Sequence, residues 1–183
     1  IRFARAYMGK LWIFVNNSGL YKIDMSTFKI EDHYTLLTDY EGNSLRTFYI
    51  DKKGYIWFGT IDGIYIFDPT DGKLSHYKHS RTDPFSLPNN SIWEISEDRQ
   101  SNVWIGTYSG TLCYVNIDEN NAFKTYHPQN SGLNHTPVSA FAEDQQYLWV
   151  GTEGGGINRM NKATGEFSYI TSANSITSNN IKS

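Results

Sequence analysis

Apolar residues recur in short runs along the whole chain, and polar, turn-forming residues separate these runs about every ten residues. Runs such as 64–67 and 112–115 are rich in aromatic and β-branched side chains, which favour strands. Asp, Gly and Pro cluster in the stretch between two such runs, as in 68–72. No segment of ten or more residues has the apolar stripe of an amphipathic helix. The pattern therefore predicts an all-β protein.

One short phrase, opened by a tryptophan, occurs four times at intervals of 45, 47 and 45 residues. Three copies read Trp-x-Gly-Thr, and the first departs, with Phe14 and Val15 in place of Gly and Thr. The repeated residues are Trp12, Trp57, Gly59, Trp104, Gly106, Trp149 and Gly151. A period of this length indicates a series of equivalent units. We expect the tryptophans to pack between units and the glycines to allow close approach.

Each period contains four short apolar segments separated by turns, which is the pattern of a β-propeller blade. A glycine follows each tryptophan by six or seven residues and precedes the next apolar run, and these glycines are Gly19, Gly63, Gly110 and Gly155. The predicted fold is about four four-stranded antiparallel blades of a larger propeller. The approximate units are 1–40, 41–86, 87–133 and 134–178, with the start of a further blade at 179–183.

The two ends of the chain resemble interior parts of the repeat. Residues 1–5 stand where a strand precedes each tryptophan turn, and 179–181 resemble the strand entry at 89–92. We therefore read the chain as a piece of a longer propeller. Blade faces left open at the ends would be apolar, and large apolar patches rarely stay exposed. The remaining blades of a parent protein, or a second copy, are the expected partners.

Composition excludes several classes of partner. The net charge of −3 gives no basic footprint for nucleic acid. No run of 18 apolar residues is present, so no membrane contact is expected from this segment. Cys113 is the one cysteine, and we expect it to be a small buried hydrophobe. No cofactor-binding motif is evident, and we predict no cofactor.

Acidic and histidine residues are interpreted as structural. Glu97-Asp98 and Glu143-Asp144 suggest the paired carboxylates of a glycosidase, but they recur at equivalent places where Asp begins a turn. No cysteine or carboxylate cluster completes a metal site around the histidines, so neither a metal nor a catalytic residue is predicted. The histidines are His33, His76, His79, His127 and His135.

Positions that differ between units are better candidates for ligand binding. Propellers bind ligands at one mouth of the central channel, where the variable loops are 35–44, 79–90, 128–136 and 172–180. Just inside these loops, Arg46, Trp93 and Ser139 occupy equivalent places. An indole face stacks on a sugar ring, and an arginine pairs with a carboxylate or sulfate. For both side chains the alternative is a structural role, in packing between blades for Trp93 and in a structural ion pair or in solvent for Arg46.

Residues 86–98 and 102–107 resemble the two-component regulator propeller repeat, as do 148–159 followed by 164–167. The resemblance implies a periplasmic sensor region of the hybrid two-component systems of gut Bacteroidetes, in which such repeats form seven-bladed propellers. It further implies recognition of oligosaccharides released from glycans and regulation of a downstream histidine kinase.

Two other functional classes stay open at this point. Some propellers are lyases or glycoside hydrolases, and others only hold protein partners. No phospho-accepting histidine on a helix and no ATP-binding glycine box is present, so we expect this chain not to be the catalytic part of a kinase.

Overall fold

The computed structural model describes residues 1–38, 45–108, 111–116 and 122–182, and all regular structure in these ranges is β-strand. The strands are β1 Phe3–Tyr7, β2 Lys10–Val15, β3 Gly19–Asp24, β4 Ile30–Tyr34, β5 Leu45–Ile50, β6 Ile56–Thr60, β7 Gly63–Asp68, β8 Lys73–Tyr77, β9 Ile92–Glu97, β10 Val103–Thr107, β11 Leu112–Val115, β12 Lys124–Tyr126, β13 Val138–Glu143, β14 Tyr147–Thr152, β15 Gly156–Asn161 and β16 Phe167–Ile170. The all-β prediction is confirmed.

Four consecutive strands form each of four antiparallel sheets, joined in simple up-and-down order. We number them sheets 1 to 4 along the chain. The first strand of each sheet lies innermost, because β1 contacts β5, β5 contacts β9 and β9 contacts β13. The fourth strand of each sheet faces solvent and carries polar residues, as in the mostly exposed β8. The sheets are therefore blades arranged around a shared inner edge.

Three apolar clusters hold consecutive sheets together. Trp12 lies in the cluster between sheets 1 and 2, Trp57 in that between sheets 2 and 3, and Trp104 in that between sheets 3 and 4. Their exposed fractions are 5%, 0% and 3%. Each tryptophan thus packs against the sheet that follows its own, as the repeat predicts.

Trp149 differs from the expectation that each tryptophan packs between two units, because it is only half-buried. Its indole packs against Tyr147, with ring centroids 6.1 Å apart, and lies beside the guanidinium of Arg159 at 5.7 Å. No further sheet covers this face among the described residues, which is the physical reason for its exposure.

The glycine of each phrase marks the closest approach between sheets. A Cβ built on Gly59 would lie 2.7 Å from Ile92 of the next sheet, and one on Gly106 would lie 2.8 Å from Val138. Gly151 makes the same approach to Ile181, at 2.7 Å. The close-packing role predicted for these glycines agrees with this geometry.

The structure agrees with the sequence-based prediction for two of the four glycines that follow the tryptophan phrases. Gly19 and Gly63 have positive φ values of 99° and 106° and open the third strand of their sheets. In sheet 4 this place is taken by Gly156, which pairs with Thr152, and not by the predicted Gly155. Gly110 lies outside the described residues.

Candidate functional site

An aspartate organises the turn before each of the last three tryptophans, and it is buried in sheets 2 and 3 and half-buried in sheet 4. In sheet 3 the Asp98 carboxylate accepts the backbone N–H groups of Gln100 and Asn102, each at 2.9 Å, and the indole N–H of Trp104 at 2.8 Å. The same indole bond, also 2.8 Å, joins Trp57 to Asp51 and Trp149 to Asp144. Each aspartate thus fixes its own turn and tryptophan.

The glutamate before the aspartate ties neighbouring sheets together. Glu97 accepts the backbone N–H of Lys52, in the preceding turn of sheet 2, at 2.8 Å. Glu143 accepts the backbone N–H of Arg99 at 3.2 Å and pairs with Lys162. Burial raises the pKa of the Glu97 carboxyl. Both acidic pairs, which in the sequence suggest a glycosidase, are therefore engaged in structural hydrogen bonds.

The histidines are also engaged in local packing. His76 stacks on Tyr65 with ring centroids 3.8 Å apart, and His33 stacks on Tyr21 at 4.1 Å, at the equivalent place in sheet 1. No group of three metal-ligating side chains occurs within the described ranges.

Arg46, Trp93 and Ser139 occupy one structural position, which is the extra residue of a β-bulge. The pairing of β5 with β6, of β9 with β10 and of β13 with β14 shifts register at these residues. A bulge re-aims the side chain it carries, and bulges recur beside functional sites. Each lies one residue inside its inner strand, at the end opposite the aspartate turns.

Arg46 and Trp93 are brought together across the interface of sheets 2 and 3. The guanidinium carbon of Arg46 lies 4.9 Å from the centroid of the Trp93 ring. Both side chains are half-buried, and Nε of Arg46 is buried without a hydrogen-bond partner among the described residues. The pair presents a cation and an aromatic surface at one mouth.

Ser139 has a different environment from the other two. It is 2% exposed, and its hydroxyl donates to the carbonyl of Ile181 at 2.6 Å. The group that joins the pair instead is Tyr108, which is 53% exposed and packs against Trp93 with ring centroids 5.5 Å apart and planes tilted by 31°. Tyr108 was not among the candidates from the sequence, although it directly follows the phrase that begins at Trp104.

A second polar group lies where the inner strands converge. Arg5 of β1, Tyr49 of β5, Glu94 of β9 and Phe141 of β13 line a cavity of about 220 Å³. Burial raises the pKa of the Glu94 carboxyl, while the Ile95 backbone N–H and the Arg5 charge oppose that rise. Glu94 stands in register where the other sheets have Thr47 and Ala140. A carboxylate where the other repeats have a small side chain marks this position in the sequence, but Glu94 was not among the candidates there.

The four sheets are blades of a β-propeller, and comparison with known proteins identifies the repeat. The sequence model of the two-component regulator propeller matches residues 39–62, 86–109 and 132–154. The chain therefore carries two-component regulator propeller repeats, as its motifs suggest. A comparison with curated protein sequences gave no significant match.

Solved structures similar to this chain include propellers of the same kind. One, described as the extracellular domain of the hybrid two component system BT3049 from B. thetaiotaomicron, is 23% identical with a TM-score of 0.72, over 92% of this chain and 24% of that one. The corresponding domain of BT4673 from the same organism is 15% identical with a TM-score of 0.66, over 91% and 22%. YCF48 bound to D1 peptide is 10% identical with a TM-score of 0.61, over 90% and 51%.

These likenesses establish the propeller fold. The chain spans about a quarter of the length of the two extracellular domains. In the parts of the chain that are described, no helix has the length and apolar character needed to cross a membrane.

Proposed function

We propose that this chain is a ligand-recognising segment of the extracytoplasmic, periplasmic part of a hybrid two-component signalling protein. The regulator propeller repeats support this, as do similar structures that are extracellular domains of such systems. The segment recognises oligosaccharides released from glycans and regulates a downstream histidine kinase. Regulation requires that the ligand bind one signalling state more tightly than the other.

The observation that carries the proposal is the contact of Arg46 with Trp93 on adjacent bulges. Rigid blades hold the bulges, so the guanidinium and the indole are preorganised and lose little side-chain freedom on binding. Tyr108 extends the aromatic surface beside Trp93. Sugar rings stack on such surfaces, and the half-buried guanidinium of Arg46 is a cation that pairs with a carboxylate or sulfate. The proposal leaves Ser139 out, because its hydroxyl is buried and engaged.

The function proposed for this chain is recognition without catalysis. The acidic pairs Glu97-Asp98 and Glu143-Asp144 hold turns and tryptophans, and this use accounts for their recurrence in the repeat. A general acid needs a carboxyl positioned on a substrate, and these groups are bonded to backbone instead.

The test is calorimetric titration with acidic disaccharides that carry a uronate, a sulfate or both. We expect binding by the original chain, and a loss of about tenfold or more in affinity for Trp93→Ala and for Arg46→Gln. Phe28→Ala is the matched control, because Phe28 is an aromatic residue that is 84% exposed at the far end of sheet 1. Equal affinities for all four proteins would contradict the proposal, and turnover of any disaccharide would favour the enzyme alternative.

A further inference from the structure

A cleft lies between sheets 3 and 4, away from the mouth. Its volume is about 440 Å³, within the range of ~300–1,000 Å³ typical of ligand pockets. Turn residues Gln100, Gln145 and Gln146 line it, so it opens at the end of the blades opposite Arg46 and Trp93. It is therefore separate from the site of the proposed function.

Aromatic rings form one wall of this cleft. Tyr114 lies between Trp104 and Tyr126, with ring centroids 4.7 Å and 6.2 Å away. Trp104 is 3% exposed, whereas Tyr114 and Tyr126 are half-buried and present ring surface to the cleft. Met160 of sheet 4 completes the apolar floor.

The cleft is larger than its counterpart beside Tyr55, and sheet 3 departs from its neighbours at two positions that line it. Asn102 stands where sheet 2 has Tyr55 and sheet 4 has Tyr147, just before the apolar residue that precedes the tryptophan. Tyr55 packs on the core between sheets 2 and 3 and lines the equivalent space there, which is a smaller cavity of about 270 Å³. Tyr114, which pairs in register with Trp104, replaces Ile66, which pairs with Trp57. A small polar residue thus widens the cleft, and an extra ring lines it.

The charges in the cleft are already neutralised by its own structure. The Asp98 carboxylate accepts four bonds, from the Trp104 indole, from the Asn102 side chain and from two backbone N–H groups. The Lys162 ammonium pairs with Glu143 and donates to the carbonyl of Asp144 at 2.8 Å. These are the two charged side chains of the lining. Both charged side chains of the described lining are therefore already bonded, and the Lys124 ammonium lies 5.3 Å from the centroid of the Tyr114 ring.

The free polar groups are neutral. The hydroxyls of Tyr114 and Tyr126 and the carboxamides of Gln145 and Gln146 make no hydrogen bond to other described residues. Aromatic surface edged by phenols and carboxamides matches a molecule with an apolar ring face and many hydroxyl groups. We infer that this cleft is a second binding site, which takes a neutral saccharide.

The experiment titrates the 183-residue chain with cellobiose, maltose and lactose, which are neutral disaccharides of different linkage, and measures heat of binding. We expect at least one to bind at millimolar concentration. Asn102→Tyr places in sheet 3 the side chain that sheets 2 and 4 already carry, so the cleft should narrow toward the size of its counterpart beside Tyr55. Thermal unfolding checks that the fold is kept, because the change removes the Asn102 bond to Asp98. We expect about a tenfold or greater loss of affinity. Gln145→Ala with Gln146→Ala, which alters only exposed side chains, should weaken binding without changing thermal stability.

Trp93→Ala separates this inference from the proposed function. Here it should leave neutral disaccharide binding unchanged, whereas it should remove acidic disaccharide binding at the mouth. The inference is overturned if none of the three disaccharides binds. It is also overturned if Asn102→Tyr binds as the original chain does, or if Trp93→Ala abolishes the signal while Asn102→Tyr retains it.

Discussion

At the scale of single residues, the bond between an aspartate and an indole recurs in three sheets. The carboxylate satisfies turn N–H groups and the indole N–H at once, so one side chain couples a turn to the core behind it. Asp98 is 2% exposed, and its removal leaves several donors without a partner.

Replacing Asp98 tests this coupling. Asp98→Ala should lower the free energy of unfolding by about 2–3 kcal/mol, because buried N–H donors lose a charged acceptor. Urea unfolding measures the change. Asp71→Ala is the control, since Asp71 is an exposed turn aspartate whose one hydrogen bond to another described residue is from the Lys73 backbone N–H. Equal losses for the two variants would show that Asp98 is only a local turn residue.

The repeated tryptophans should differ in their contribution to stability. Trp57→Ala should cost about 3–5 kcal/mol, because a fully buried ring leaves a cavity between sheets 2 and 3. Trp149→Ala should cost at least about 1 kcal/mol less, since its half-exposed ring loses less transfer free energy. Chemical denaturation of the two variants gives the comparison, and equal costs would mean that the Trp149 face is covered in solution.

At the scale of elements, bulges and glycines set how sheets meet. Each bulge turns one residue of an inner strand out of register. At Trp93 and Ser139 the preceding residue, Ile92 or Val138, packs on a glycine of the sheet before it. Arg46 and Trp93 thereby reach one another from different sheets.

The contact of Gly106 with Val138 allows a test of how far the packing of sheets 3 and 4 depends on the glycine. Gly106→Ala should destabilise the chain by about 1–3 kcal/mol, because the new Cβ would lie 2.8 Å from the Val138 side chain. A double-mutant cycle with Val138→Ala should show a coupling of at least about 0.5 kcal/mol, since the smaller side chain relieves part of the overlap. Strict additivity would mean that the two sheets adjust freely.

At the scale of the whole molecule, the face of sheet 4 that carries Trp149 is not covered by any other described sheet. Asn179 and Ile181 pair with sheet 4 as Asn90 and Ile92 pair with sheet 2, which is the geometry of an inner strand of a next blade. We propose that further blades of a parent protein or a second copy of the chain cover the Trp149 face.

Equilibrium sedimentation of the purified chain tests that proposal. We expect concentration-dependent association or aggregation, because the face exposes aromatic surface that is buried between the other sheets. Trp149→Lys should weaken the association, whereas Tyr169→Lys, a change at an exposed site on the outer strand β16, should not. A well-behaved monomer at all concentrations would contradict it.

The sequence by itself determined the repeat, the strand content and the structural use of the acidic pairs. These follow from local chemistry, since alternating apolar residues pair as strands and aspartates close turns wherever they recur. It also placed Arg46 and Trp93 at equivalent positions. The packing of Trp149 between two units was not borne out, because the burial of a residue depends on a neighbouring sheet and not on its own phrase.

Only the tertiary structure decided which side chains meet. Arg46 and Trp93 stand 47 positions apart, and no local pattern indicates that bulges bring them to 4.9 Å. Burial removed Ser139 from the candidate site, and packing between sheets added Tyr108 to it. The neutral cleft beside Tyr114 is likewise widened by the space that Asn102 leaves between two sheets. Sequence specifies each blade, whereas a site made between blades depends on how those blades pack.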